Sequence, residues 1–222
     1  MSRPDALSRP RIVQAAIELL DVEGEAGLTF RTLATRLETG PGAIYWHIAN
    51  KDELLAAATD DVITDALALV AAKRAPGPMI RAVALRLFDT LEVHPWAGTQ
   101  LSRAASQTAM LQIYERFGVQ LQALRVPTQT LFFAASALVN YVLGVASQNA
   151  ALARQAVDDR AGHLARVAAA WSAVAPEAHP FIHQMAAQLR DHDDRAQFVA
   201  GIDLILAGIA ASGKAQRRRP SD

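Results

Sequence analysis

Three ring side chains follow one another at Tyr45, Trp46 and His47, and a lysine stands four residues further on at Lys51. Successive residues of a helix are rotated by about 100°, so three consecutive rings cannot all point into one core. At least one ring must therefore face away from the protein. Because all four side chains can donate hydrogen bonds, the group is suited to contacts with phosphate oxygens outside the protein.

The residues around the rings indicate how they are held. Gly40 and Gly42 carry no side chain and would let a helix N-terminus approach a partner closely, and Pro41 costs no hydrogen bond in a first helical turn. Ile44 and Ile48 are four residues apart and would form the inward face. The pattern predicts a short helix, anchored by two isoleucines, with aromatic side chains outside.

Two helices separated by a short turn are predicted here. Thr29 can cap a helix over "FRTLATRL", Thr39 can cap the short one, and Asn50 with Glu53 three residues on forms a capping box for the next. This is the spacing of a helix-turn-helix, whose second helix lies in a DNA major groove. The spacing alone is also compatible with an ordinary helical hairpin that carries a few surface aromatics.

The rest of the chain reads as a string of helices. Apolar residues recur at helical spacing nearly everywhere, and β-branched runs flanked by Asn-Gly turns are absent, so we expect an all-α fold of nine or ten helices. Ser8 can cap the first helix, and the helix that starts at Asn50 can continue to about Lys73. The later breaks are expected at the Pro-containing steps of the sequence.

Composition excludes several classes of protein. Of 222 residues, 51% are apolar, which is enough for a core, and 22 basic side chains balance 22 acidic ones. There is no cysteine, and we find no Gly-rich phosphate loop, His-Glu-x-x-His motif or nucleophile elbow, so no enzyme and no cofactor are predicted. The N-terminus has no apolar signal core, which favours a cytoplasmic protein.

The longest apolar run, residues 131–146, is shorter than the ~20 residues that a bilayer requires and contains Asn140. We interpret it as a buried helix and expect no membrane partner.

Two stretches, "LTFRTLATRL" and "AIYWHIANKDELL", resemble the DNA-binding domain of the TetR (tetracycline-repressor-like) family of transcription regulators, from Ser8 to about Ile63. A third stretch, "RAQFVAGIDLILAGIAA", is more weakly similar to the last helix of the family's regulatory domain. The resemblance implies an all-α homodimer with a three-helix DNA-binding domain (residues 1–51) and a larger helical domain for ligand binding and dimerisation (residues 52–222). It implies a transcription regulator that binds a palindromic double-stranded DNA operator and is released from it by a small-molecule effector. Repression is the family's commoner mode, with activation as the alternative.

The resemblance also implies roles for single residues. Arg31 matches an arginine that contacts a base or a phosphate. Pro41, Gly42 and Ala43 match the base-facing start of the family's recognition helix, which is the second helix of the helix-turn-helix. The residues that match its phosphate contacts are Tyr45, Trp46, His47 and Lys51. At positions 42 and 43 the family often has larger or polar side chains, so the operator sequence cannot be inferred from related regulators. Residues 1–51 carry six basic and six acidic side chains, so DNA binding must depend on where these charges lie.

The C-terminal part offers weaker signals. Residues 128–152 and 195–211 carry wide apolar faces and match the family's intersubunit bundle, with packing inside one chain as the alternative. An effector cavity with apolar walls and a few polar groups could use eight residues, each of which could instead belong to the core. These are Trp96, Met110, Tyr114, Phe117, Phe133, Asn140, Tyr141 and Trp171.

A metal site is not predicted. His179 and His183 have a spacing that could bind a metal on a helix, but Pro180 lies between them and no acidic or cysteine partner is near. The magnesium–drug site of the tetracycline repressors is not recognisable, so the effector need not be tetracycline.

Overall fold

The computed structural model describes residues 7–71, 74–102, 107–155, 160–190 and 192–217, and within these ranges it contains eleven α-helices and no strand. The helices are α1 (Arg9–Gly27), α2 (Phe30–Arg36), α3 (Pro41–Tyr45), α4 (Lys51–Ala68), α5 (Pro76–Val93), α6 (Pro95–Leu101), α7 (Gln107–Ala123), α8 (Thr128–Gln155), α9 (Arg160–Ser172), α10 (Pro180–Arg190) and α11 (Asp194–Arg217). The all-α prediction is confirmed, with more helices than expected.

Local side-chain caps start three of the N-terminal helices, as predicted. The Ser8 side chain accepts the Arg11 N–H, Thr29 and Thr32 cap one another's backbone N–H groups, and Asn50 accepts the Glu53 N–H at 2.8 Å. The capping box predicted at Asn50 is only half formed, because the Glu53 carboxylate accepts the Ala49 N–H instead of that of Asn50. The predicted cap of α3 is wrong. Gly40 is its N-cap residue, and no side chain among the described residues caps it, because Thr39 precedes the extended backbone at Gly40 and lies one position too early.

The end of α1 is bent at a glycine. Gly24 has φ 68° and ψ −172°, a conformation that is essentially restricted to glycine, and helical geometry resumes as far as Gly27. The bend directs the last residues of α1, including Glu25, towards α4 and α6.

The helix α4 ends at Ala68 and is capped at Leu69, about one turn before the predicted end, and Lys73 lies outside the described residues. Burial explains the difference. Leu67 is 2% exposed whereas Leu69 is 68% exposed, so full burial of the apolar face stops at Leu67, and Val70, beyond the end of the helix, packs only partly buried against the core.

The centre of the larger domain is formed by α5 and α8, on which α4, α7 and α11 pack. The fully buried side chains include Val83 and Leu87 of α5, Phe117 of α7, Leu138 of α8 and Phe198 of α11. The helices α9 and α10 pack on each other as a hairpin in which Ala168 and Ala186 are buried.

Two helices leave much of their apolar surface uncovered. Segments 128–150 and 194–212 are long and apolar enough to cross a membrane by length and composition alone, but soluble core helices meet the same criterion. Only 33% and 11% of their most apolar windows are buried in this chain. The prediction that residues 131–146 form a buried helix is therefore confirmed for only one face of the helix. Leu138, Val139 and Val142 are buried on that face, whereas Phe132 and Phe133 are each 69% exposed.

Candidate nucleic-acid interface and effector site

The short helix α3 is held by the two predicted anchors. Ile44 is 0% exposed and Ile48 is 1% exposed, so both point into the core between α1, α2 and α4. This confirms the inward face. On the other side Pro41 and Gly42 are exposed, and Ala43 is half-buried.

The three rings do not share one environment. Trp46 is 89% exposed, which confirms that at least one ring faces away from the protein. Tyr45 is 55% exposed, and its ring stacks on Phe30 with centroids 4.4 Å apart and an angle of 4° between the planes. His47 is half-buried. The stacking on Phe30 fixes the direction in which the Tyr45 hydroxyl extends from α3.

The fold itself does not demand glycine at positions 40 and 42. A Cβ atom at either position would meet no heavy atom of the described residues within 4 Å, and neither residue has a positive φ. Any demand for glycine there therefore comes from outside the chain, in line with the close approach to DNA that the sequence predicts.

Lys51 is engaged within the protein. Its Nζ donates to the backbone carbonyl of Glu25 at 2.6 Å, which connects the start of α4 to the bent end of α1. An ammonium group has three N–H donors, so this bond leaves donors for a phosphate oxygen. The Arg31 side chain is exposed at the start of α2, and its guanidinium forms no hydrogen bond within the ranges that the structure describes.

An ion pair between Arg9 and Glu53 contacts the segment that follows α3. Arg9, the first residue of α1, donates from Nη1 to the His47 carbonyl at 2.9 Å and to Glu53 Oε1 at 2.6 Å. Glu53 Oε2 accepts the Ala49 N–H at 2.8 Å. The Ala49 N–H, followed by the Arg9 guanidinium, holds the pKa of Glu53 below its usual value. The sequence showed Glu53 only as a local cap, and no local pattern pointed to Arg9.

The first helix, α1, also contacts α6 of the larger domain. Asp21 Oδ1 accepts the Trp96 indole N–H at 2.7 Å and bonds His94 Nδ1 at 2.8 Å, and Glu25 Oε2 accepts the Gln100 amide at 2.9 Å. Asp21 and Glu25 lie on either side of the bend at Gly24, whereas Trp96 and Gln100 are four residues apart on α6, and each α1 carboxylate accepts from one of these two α6 side chains. We call these four residues the α1–α6 junction. The bend at Gly24 removes any regular helical spacing between Asp21 and Glu25, so no local pattern in the sequence pointed to this junction.

Trp96, one of the eight effector candidates, thus lies in the α1–α6 junction and is 4% exposed. The candidates on α7 and α8 differ among themselves. Phe117 is fully buried, Met110 and Tyr114 are half-buried, and Phe133 is 69% exposed. These four side chains therefore differ in how much surface they could offer to a ligand.

The three remaining candidates lie on α8 and α9. Asn140 is exposed, and Trp171 lies half-buried on α9. Tyr141 donates its hydroxyl to the Phe198 carbonyl at 3.2 Å and lies so close to Gly201 that a Cβ there would be 1.9 Å from its oxygen. Burial raises the pKa of the Tyr141 phenol. In this structure Tyr141 therefore joins α8 to α11.

A cavity of about 560 Å³ opens between α4 and α7, which is large enough for a small organic molecule. Its lining residues are Thr64, Leu67, Ala68, Leu111, Gln112, Glu115 and Arg116. None of the eight predicted residues is among them. Among the described residues, no three His, Cys, Asp or Glu side chains are grouped so that they could hold a metal ion.

Comparison with known proteins identifies both parts of the chain. Residues 12–58 match the family model described as bacterial regulatory proteins, tetR family, and residues 79–212 match the tetracyclin repressor-like C-terminal domain. The solved structure of a TetR transcriptional regulator from Streptomyces coelicolor is 52% identical, with a TM-score of 0.86, and the match covers 94% of this chain and 100% of that one.

Two further matches extend over most of the chain. An HTH-type transcriptional regulator of Saccharopolyspora erythraea is 30% identical over 207 residues, which are 93% of this chain and 86% of that protein. The structure of ActR from Streptomyces coelicolor in complex with actinorhodin shares the fold, with a TM-score of 0.78 at 21% identity, over 94% of this chain and 99% of ActR.

Proposed function

Because this chain belongs to the TetR family of bacterial regulatory proteins, which are DNA-binding transcription regulators and not enzymes, we propose that it is a repressor released by a small molecule. It binds a palindromic operator as a homodimer in the cytoplasm. The observation that carries this proposal is the short helix α3, in which Ile44 is buried, as is Ile48 just after it, while Trp46 beside it is 89% exposed.

In this proposal α3 enters the major groove. Pro41, Gly42 and Ala43 face base edges, where Pro41 and Ala43 can contact thymine methyl groups, and the exposed guanidinium of Arg31 can bind a guanine through two hydrogen bonds. Tyr45, Trp46, His47 and Lys51 donate to phosphates, which fix the register of α3 on the duplex. We place the domain boundary between Lys51 and Asp52, although α4 continues across it.

The uncovered apolar faces of α8 and α11 support the homodimer. Phe132 and Phe133 on α8 and Leu204 on α11 are each at least 69% exposed in the single chain. An exposed apolar surface of this kind marks an interface with a protein or a membrane. A second copy of this chain fits a DNA-binding regulator, since the DNA-binding domains of the two copies (residues 1–51, here called headpieces) would read the two halves of a palindrome. Sedimentation without detergent should show a dimer, whereas a monomer that requires detergent would favour a membrane partner.

Ligand and operator are coupled through the headpiece position in this proposal. The two headpieces of a dimer must match half-sites roughly 34–36 Å apart. A ligand in the larger domain that favours another separation of the headpieces lowers operator affinity, and only by its preference for that state. The structure offers two connections for this, the helix α4 and the α1–α6 junction. By reciprocity, the operator must weaken ligand binding by the same factor.

The experiment is a gel shift with a duplex taken from the DNA upstream of the chain's own coding sequence, against a scrambled duplex of equal length and composition. We expect a shift of the first duplex at lower protein concentration, and its reversal by at least one compound of a small-molecule library. Equal affinity for both duplexes would favour a helical adaptor protein without an operator.

A confirmed effector is then titrated with and without saturating operator. Weaker binding with the operator present is the expected result. Equal affinities would exclude the antagonism, and tighter binding would identify a corepressor.

A further inference from the structure

We propose that Arg9 and Glu53 are positioning residues for the recognition helix, and that Arg9 acts through the backbone after α3 and not as a phosphate contact. The inference rests on the proposed function, because it takes α3 as the helix that reads DNA. It assigns a role to a basic residue that composition alone would count among the DNA-binding charges.

The two side chains close a ring of contacts around residues 47–49. Arg9 Nη1 donates to the His47 carbonyl and to Glu53 Oε1, and Glu53 Oε2 accepts the N–H of Ala49. The first residue of α1 and the first turn of α4 thereby grip the segment that leaves α3, by its carbonyl and its N–H. We call Arg9, Glu53 and their contacts to residues 47–49 the α3 clamp.

The helix α3 needs such support. It has five residues, which is far too short to be stable alone, and no described side chain caps its N-terminus at Gly40. Carbonyl groups at and beyond a helix C-terminus lack intrahelical partners and favour a cation nearby. The Arg9 guanidinium provides that cation at the His47 carbonyl. Ile44 and Ile48 hold α3 by burial, while the α3 clamp fixes the direction in which the chain leaves it.

The same bonds occupy the charge of Arg9. A carboxylate oxygen lies 2.6 Å from Nη1, and both bonds that Arg9 donates in the clamp use this one nitrogen. A cation that is already paired with a carboxylate releases few counterions from DNA when the protein binds. Arg9 should therefore contribute to affinity through the fraction of molecules in which α3 is correctly placed, because the apparent Kd is inversely proportional to the binding-competent fraction.

The test compares Arg9→Ala, Arg9→Lys, Glu53→Gln and the Arg9→Ala/Glu53→Gln double variant in the full-length protein. Arg36→Ala is the matched control. Arg36 also forms an ion pair with a neighbouring helix, at Glu18, and its side chain is 45% exposed against 48% for Arg9, but none of its hydrogen bonds goes to residues 47–49. The probes are the upstream duplex and the scrambled duplex, each titrated at several salt concentrations. Urea unfolding shows that each variant is folded.

We expect Arg9→Ala to weaken binding to the upstream duplex by about tenfold, a typical effect of losing charge-assisted hydrogen bonds. Binding to the scrambled duplex should change much less, and the salt slope should stay the same. Arg9→Lys should recover most of the loss, because one ammonium nitrogen can reach both acceptors. The double variant should resemble the single ones, since all of them break the same clamp. Arg36→Ala should change the affinity by less than about threefold.

Two results would overturn the inference. A salt slope lower by about one in Arg9→Ala, with equal losses on both duplexes, would make Arg9 a phosphate contact. Additive losses in the double variant would show that Arg9 and Glu53 act separately. If Arg9→Ala does not fold, Glu53→Gln and Arg9→Lys carry the same comparison. If the wild-type protein does not distinguish the two duplexes, the proposed function fails and not the clamp, whose effect is then read from the hydrogen exchange of the Ala49 amide.

Discussion

Replacing Gly42 by alanine should move stability and DNA binding in opposite directions. Gly42 is the second residue of α3, is exposed, and has open space within 4 Å of the position where a Cβ would stand. No clash within the chain therefore has to be subtracted. A helical Gly→Ala change of this kind raises the free energy of unfolding by about 0.5–1 kcal/mol, mainly because alanine restricts the unfolded chain.

The same methyl group should reduce operator affinity. If the start of α3 lies against the base edges, the added carbon occupies space that the bases need, and the site loses contacts on both sides. The discrimination carried by one good base contact is about 1–3 kcal/mol, so we expect a loss of roughly 5- to 150-fold on the operator. Binding to scrambled DNA, which depends on phosphates, should change much less.

The assays are urea unfolding and fluorescence anisotropy with labelled upstream and scrambled duplexes. Gly118→Ala is the control, because Gly118 lies inside α7, also has no described atom within 4 Å of its Cβ position, and belongs to the larger domain. It should gain similar stability and keep its operator affinity. Unchanged or tighter operator binding by Gly42→Ala would refute the close approach of α3, and a loss of stability would refute the open space around Gly42.

Three further substitutions address the other contacts. Lys51→Ala should weaken binding to specific and scrambled DNA alike and lower the salt slope by about one; an unchanged slope would mean that its ammonium stays on the Glu25 carbonyl. Arg31→Ala should cost about 1–3 kcal/mol on the operator and less on scrambled DNA, and equal losses on both would make Arg31 a phosphate contact. Trp96→Phe should lower the free energy of unfolding by about 1 kcal/mol more in the wild type than in an Asp21→Ala background, and a double-mutant cycle without this coupling would remove the indole–carboxylate bond from the α1–α6 junction.

The features that could be predicted from the sequence are those with local causes. Ser8, Thr29 and Asn50 cap helices within three residues of themselves, and Ile44 and Ile48 form a face because they are one helical turn apart. The end of α4 was misplaced because it depends on where burial by other helices stops, which no residue near Lys73 records.

The contacts that hold the headpiece depend on distant residues and could not be predicted. Asp21 and Trp96 are 75 positions apart, and Arg9 and Glu53 are 44 apart. An aromatic residue such as Trp96 looks the same in the sequence whether it lines an effector cavity or donates to a carboxylate. The residue type limits Trp96 to a few possible roles, and only the packing of α6 on α1 shows that its indole bonds Asp21.

The exposure of Trp46 makes the protein its own optical reporter. Of the three tryptophans in the chain, Trp96 is 4% exposed and Trp171 is half-buried, whereas the Trp46 indole is 89% exposed. The long-wavelength edge of the emission spectrum and the fraction quenched by acrylamide therefore come mainly from one side chain, at the surface proposed to meet DNA. Trp46→Phe removes that component and leaves the emission of the two others. Intrinsic fluorescence can thus follow the occupancy of the DNA-binding surface in an unlabelled protein, and a further Trp171→Phe change would leave Trp96 alone to report on the contact between α1 and α6.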